Sequence, residues 1–275
     1  MRRPGYVGPM SSENRYDRRN VDNMEMLYGR GFLSGGGADE VALILDGIDL
    51  RSADVLDLGC GLGGATVAML TRLGAQHVTG FDVDPGNLER AEELVTEAGV
   101  QSRATLVEGA PGPLPFEADS FDCVYVNAVS CHVDALAEFF TEIRRVLRPG
   151  GVLVGSEWLV RAHNAAFQGW DDLLRERGLS FHFVGSAPFV AAIEAGGLTD
   201  VALVDRTDAF TEFSRTSLDH TDTALRSPLV DSLGEEGFEA FRRWCEVRYV
   251  ALRDGGLLQC HFRATKPVTG AAAAR

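Results

Sequence analysis

Asp57-Leu58-Gly59-Cys60-Gly61-Leu62-Gly63-Gly64 is the stretch on which the reading of this chain turns. Val55-Leu56-Asp57-Leu58 runs into it as a short strand, and Ala65 to Leu73 leaves it with helical character. Glycine lets backbone approach a ligand where a Cβ would clash. In an open parallel sheet, that ligand lies beyond the carboxyl ends of the strands. Gly59, Gly61 and Gly64 fit G-x-G-x-x-G, and Asp82 ends the next strand, where a ribose-binding acid belongs. Alone, this permits a nicotinamide dehydrogenase. Asp57, two residues before the first glycine, makes the loop D-x-G-x-G instead.

Outward from the loop, strands and helices alternate through residues 52–157. His77 to Asp82 is a second strand. Asp84-Pro85 has the form of a helix N-cap with proline at the first helical position. Leu88, Ala91, Leu94 and Val95 give that helix its buried face. Ala104 to Val107 and Cys123 to Val126 are further strands. Leu136, Phe139, Phe140, Ile143, Val146 and Leu147 repeat at the helical period. Arg148-Pro149-Gly150-Gly151 is expected to stop that helix before a fifth strand at Val152-Leu153-Val154. Ala187 to Ala195 predicts a helix stopped by Gly196-Gly197. Val201 to Val204 and Leu257 to Ala264 predict two more strands. Apolar strands alternating with helices mean an α/β, doubly wound, mainly parallel seven-stranded sheet covered on both faces. Residues 158–186 and the polar, mostly helical 209–253 are expected to pack over its edge as a substrate cap. The expected organisation is a flexible N-terminus over 1–13, one domain over 14–267 and a flexible tail over 268–275. Within the domain, 14–37 is a lid, 38–157 a core and 158–256 cap and substrate-binding elements.

The 275 residues carry 26 Lys and Arg against 40 Asp and Glu, a formal net charge of −14. Nucleic-acid and anionic-lipid partners both need clustered cations, so neither is expected. No run approaches the ~20 apolar residues of a membrane span. Met1 to Tyr16 lacks the apolar stretch of a signal peptide. Cys60, Cys123, Cys131, Cys245 and Cys260 form no C-x-x-C pair. Free buried thiols in a reducing cytoplasm fit better than a disulfide framework or a zinc site.

With Phe121-Asp122-Cys123-Val124-Tyr125 and Arg145-Val146-Leu147-Arg148-Pro149-Gly150-Gly151 downstream of D-x-G-x-G, residues 53–157 resemble class I S-adenosylmethionine-dependent methyltransferases. The resemblance implies a Rossmann-like methyltransferase fold, an enzyme, and S-adenosyl-L-methionine as cofactor. It implies that Asp57, Gly59 and Gly61 lie against the methionine moiety and ribose, that Asp82 accepts from the ribose hydroxyls, and that Val83 lies beside the adenine. Many members carry an adenine-contacting acid after the third strand. Here Glu108-Gly109-Ala110-Pro111 stands there, so Gly109 and Ala110 are expected to meet the adenine through their backbone. The plain alternative is a structural glycine turn with Asp82 as a cap. An NAD-dependent oxidoreductase is the alternative of another class.

A narrower resemblance covers nearly the whole chain. Asn14-Arg15-Tyr16, Leu27-Tyr28-Gly29-Arg30-Gly31-Phe32-Leu33-Ser34-Gly35-Gly36-Gly37 and His261-Phe262-Arg263-Ala264-Thr265-Lys266 look like segments of phosphoethanolamine N-methyltransferases. That likeness implies a catalytic pair of Tyr16 and His132, with Ser34 at the cofactor's methionine end. Histidine titrates near neutrality and can take a proton from the acceptor. Asn127, placed among the cofactor residues, stands where the group carries an arginine, and Leu179 where it carries a tyrosine. A phosphate dianion wants several fixed donors, so these losses argue against a phosphobase. Trp158, Phe167, Trp170, Phe181 and Phe183 are either cap core or a pocket wall that suits an amine cation or a flat ring. Glu157 either pairs with an acceptor amine or the base, or caps the exit of its strand. N-methylation of a small amine or secondary metabolite is expected, with C-methylation of an electron-rich aromatic natural product as the alternative. Val126-Asn127-Ala128-Val129-Ser130 lacks the Asn-Pro-Pro-aromatic signature used on flipped bases. Ala110 and Ala128 stand where a magnesium-binding carboxylate would be sought, so no metal is expected.

Overall fold

Val55, Leu56 and Leu58 are buried because β1 (Asp54–Leu58), which carries them, lies between two parallel neighbours. The computed structural model describes residues 18–179 and 181–268; Tyr16 and both expected flexible ends, apart from Val268, lie outside them. The other strands are β2 (His77–Asp82), β3 (Ala104–Glu108), β4 (Phe121–Asn127), β5 (Leu147–Val160), β6 (Thr199–Asp205) and β7 (Leu257–Thr265). Their order in one seven-stranded sheet is β3-β2-β1-β4-β5-β7-β6. Only β7 is antiparallel to its neighbours. The order reverses between β1 and β4, and a crevice at such a switch point is where ligands bind.

Helices are α1 (Arg18–Tyr28), α2 (Gly37–Ile44), α3 (Gly64–Thr71), α4 (Pro85–Glu97), α5 (Leu136–Val146), α6 (Ala165–Glu176), α7 (Ser186–Ala195), α8 (Thr207–Asp222) and α9 (Arg226–Arg253). Alternation along the strands gives each face its own apolar layer. Leu56, Val124 and Leu153 meet Phe140 and Ile143 of α5 and Phe189 and Ile193 of α7. Val55, Tyr125 and Val154 meet Val41 of α2, Met69 of α3 and Val95 of α4. Phe140 is fully buried, so truncation to alanine costs about 3–5 kcal/mol. As the sequence predicts, Asp84 caps α4, accepting from the Gly86 and Asn87 N–H groups, with Pro85 next.

Three expectations need correction. α3 starts at Gly64, after the left-handed Gly63, and ends at Thr71 rather than Leu73. α5 stops at Val146 as expected, but Arg148-Pro149-Gly150-Gly151 lies within β5 rather than before it. The strand begins at Leu147, paired with Phe121, and Gly150 and Gly151 bond to Lys266 beyond the end of β7. Residues 209–253 are not a merely polar cover. Phe210, Phe238, Phe241 and Trp244 join Trp170, Leu173 and Tyr28 in a third apolar cluster, over the edge formed by the ends of β5 and β7.

Candidate active site

β1 delivers the chain to Gly59, whose φ of +79° is costly for any residue with a side chain. A Cβ there would also lie 2.4 Å from Val129. The Gly59 and Cys60 N–H groups donate to the Phe81 carbonyl at 2.8 and 3.0 Å. The Gly61 N–H donates to Asp82 Oδ2 at 2.8 Å. Asp82 Oδ1 accepts from the Asp84 N–H at 2.9 Å, and the Gly109 N–H donates to the Asp82 carbonyl at 3.1 Å. The ends of β1, β2 and β3 are thereby tied into one rim. Burial pushes the Asp82 carboxyl above its ordinary value, while these backbone donors and Asn87 pull it back. Val83, next along the rim, is 48% exposed, and Ala110 is exposed beside Gly109. Glu108 ends β3 and is exposed.

Asp57 lies beneath the loop. It is buried and accepts from Thr66 Oγ1 at 2.6 Å, which locks β1 to the first turn of α3. Burial pushes its carboxyl up to about 7, against the Thr66 hydrogen bond. The segment after α1 crosses over the loop. The Gly64 N–H donates to the Gly31 carbonyl at 3.0 Å, and a Cβ on Gly64 would sit 2.4 Å from that oxygen. Ser34, three residues on, accepts from Asn127 Nδ2 at 3.0 Å. Asn127 Oδ1 accepts from Ser156 Oγ at 2.7 Å. Thus Ser34 is tied to Asn127 and Gly61 to Asp82, pairs far apart in sequence, while Asp57 is tied to Thr66 beneath the loop.

β4 leaves the sheet through Ala128, at φ +54°, a left-handed conformation uncommon for a residue with a side chain. A single 3-10 turn, Ser130–His132, follows. The Ser130 N–H donates to Glu157 Oε2 at 2.9 Å, and Ser130 Oγ donates to the same oxygen. Glu157 is therefore the cap of this exit, not a group reaching an acceptor. His132 is half-buried, its ring centroid 4.6 Å from that of Phe181. Phe181 stacks on Phe183 at 5.3 Å. Trp158 meets Phe210 edge-on, while Phe167 and Trp170 are buried in the cap.

Sequence reading missed Arg248. Its guanidinium is buried in the cap, 4.6 Å over the Trp244 ring, and Nη1 donates to the Tyr28 hydroxyl. Burial pushes that hydroxyl up to about 12, so it is neutral and cannot balance the charge. Among the described residues, Arg248 Nε and Nη2, Trp170 Nε1 and Ser214 Oγ are buried donors with no protein acceptor. Tyr28 also packs on Phe213, whose ring fills the space beside Gly35. Two ring contacts thus separate Arg248 from the Ser34 segment. The missed signal is spacing: Phe241, Trp244, Cys245, Arg248 and Leu252 form one helical stripe, on which the arginine is the exception.

A family described as a methyltransferase domain matches residues 56–155. Over 106 residues the chain is 38% identical to a sterol 24-C-methyltransferase of Gibberella zeae, covering 38% of this chain and 28% of that protein. Over 247 residues it is 26% identical to phosphoethanolamine N-methyltransferase 1 of Arabidopsis thaliana, covering 86% of this chain and 49% of the relative. The chain thus spans half or less of these curated relatives. In fold it is similar to Haemonchus contortus phosphoethanolamine N-methyltransferase 2 in complex with S-adenosyl-L-methionine. The TM-score is 0.84 at 21% identity, covering 94% of this chain and 61% of that one.

Proposed function

We propose, on the premise that this chain carries a class I S-adenosylmethionine-dependent methyltransferase domain over residues 56–155, that it methylates the nitrogen of a small amine bearing an anionic group. The observation that carries this is the loop after β4. It sets Asn127 against the Ser34 segment at one end and His132 against Phe181 at the other.

S-adenosylmethionine supplies, when bound, an electrophilic methyl on a sulfonium. The rim suits that cofactor: Asp82 keeps acceptor lone pairs beyond those used by Gly61 and Asp84, and Gly59, packed against Val129, holds the tight left-handed turn of the loop. His132 takes the proton that an ammonium acceptor must lose before its lone pair can react. Phe181 and Phe183 present aromatic faces to the cationic amine. Arg248, which makes no ion pair among the described residues, receives the acceptor's anionic end. One guanidinium matches a carboxylate better than a phosphate dianion, which favours an amino-acid-like acceptor over the phosphoethanolamine named for the relatives. The stacked Phe181–Phe183 pair also supports a second reading, C-methylation of a flat electron-rich ring.

Incubation with methyl-deuterated S-adenosylmethionine and a panel of amino acids, phosphobases, simple amines and indoles, read by mass spectrometry, tests this. The label should appear on the nitrogen of a carboxylate-bearing amine. Label only on ring carbon would favour the second reading, and label on nothing would contradict both.

A further inference from the structure

The Glu157 side chain is fully buried at the sheet edge where acceptor chemistry is placed above, yet reaches no acceptor. Its oxygens accept the Ser130 N–H at 2.9 Å, the Ser130 hydroxyl, and the Trp158 N–H at 2.9 Å. The Cys131 thiol also donates toward it. The Cys131 sulfur lies 3.5 Å from the Ala128 carbonyl and 3.7 Å from His132 Nε2. Only an acceptor-only group with several lone pairs can take so many converging donors. Consecutive residues of β5 reach opposite faces of the sheet. Ser156 therefore fixes Asn127 on the cofactor side, and Glu157 fixes Ser130 and Cys131 on the other.

We propose that Glu157 is a positioning residue for His132, acting through Ser130 and Cys131; this rests on the reading of His132 given above. The carboxylate gathers the donors of the 3-10 turn, which sets where the turn ends and so where the imidazole lies against Phe181. Among the described residues, the titratable groups around this turn include Cys131 within it, Glu157 of β5 beneath it, the Asp134–His182 pair at 2.7 Å, and Cys260, whose thiol meets the Glu157 carbonyl. Among the described residues no lysine or arginine makes an ion pair with Glu157, so its work is to hold neutral donors rather than to balance a cation.

The test compares the full chain with its Glu157→Gln variant. Glutamine keeps the size but turns one acceptor into a donor that faces N–H groups. Calorimetry with S-adenosylhomocysteine should give a Kd within about twofold of wild type, because Asn127 is held separately. Nuclear magnetic resonance of ¹³C-labelled histidine needs no acceptor. The His132 ring signals should move, because the turn that carries the imidazole loses its anchor. With an acceptor that wild type methylates, kcat should drop about tenfold to a hundredfold. If Glu157→Gln does not fold, Ser130→Ala and Cys131→Ala each remove one link and take the same measurements. His132 signals identical to wild type in a folded Glu157→Gln, or in both single-link variants, overturn the proposal. If wild type methylates nothing, the functional reading fails, and the histidine spectra still decide the role of Glu157.

Discussion

Asn127 Nδ2 donates to Ser34 Oγ at 3.0 Å across 93 residues of sequence. This bond fastens the segment that follows α1 to the end of β4, beside the glycine loop. Asn127→Ala removes it and strips Ser156 Oγ of its acceptor. The cost in stability should be about 1–3 kcal/mol. Amides of residues 31–36 should exchange faster by mass-detected hydrogen exchange, and affinity for S-adenosylhomocysteine should fall about tenfold. Unchanged exchange would mean that the segment is held by its backbone contact at Gly64 alone.

Asp82 shapes the loop through the Gly61 and Asp84 N–H groups, and its role toward a cofactor is proposed. Charge-assisted bonds from such a carboxylate to two ribose hydroxyls would contribute roughly 1.5–3 kcal/mol each at most. Asp82→Ala should weaken cofactor binding by an order of magnitude or more, read by calorimetry. It should also lower thermal stability, because the Gly61 and Asp84 N–H groups lose their acceptor. Lowered stability with intact affinity would make Asp82 a loop support only.

Asp57 titrates high in the fold, at about 7 against an ordinary 3.8. The folded chain therefore keeps a proton that the unfolded chain has released between these values. Its contribution favours folding below about pH 4 and is lost as pH rises to about 7. On the order of 4 kcal/mol is involved at most. Asp57→Asn should therefore gain thermal stability relative to wild type as pH rises from 5 to 8, in ligand-free protein. A pH-independent difference in melting temperature would mean that Asp57 is ionised throughout.

Arg248 separates binding from stability. Replacing a buried unpaired charge by an apolar side chain is often neutral or stabilising. Arg248→Met should hold or raise the melting temperature, while KM for an anionic acceptor rises at least about tenfold. A lower melting temperature with unchanged KM would make the arginine a cap support.

What the sequence made legible is what is local. D-x-G-x-G between a strand and a helix, the Asp84-Pro85 cap and the apolar period of α5 all lie within a few residues of their partners. The helix ends at Val146 as expected, but β5 starts at Leu147 rather than Val152, because Lys266, distant in sequence, pairs with Gly150 and Gly151. Nothing in an alanine signals the left-handed turn at Ala128, which depends on what β5 offers the loop. Arg248 is hard to pick out because the charged residues of α9 hide the apolar stripe that runs through it. Ser34 is a candidate only through resemblance, and His132 through resemblance and its place after the fourth strand, since the partners of both are assembled by the fold.

The removal of an acceptor proton by His132 is tested most directly by turnover of wild type and His132→Ala at saturating cofactor across pH 6–9. General-base catalysis typically contributes ~10²–10⁴-fold. The variant should lose kcat on that scale, keep its S-adenosylhomocysteine affinity, and lose the rise in rate that accompanies imidazole deprotonation. An unchanged rate and pH profile in His132→Ala would contradict it, leaving a site that works by holding donor and acceptor in line alone.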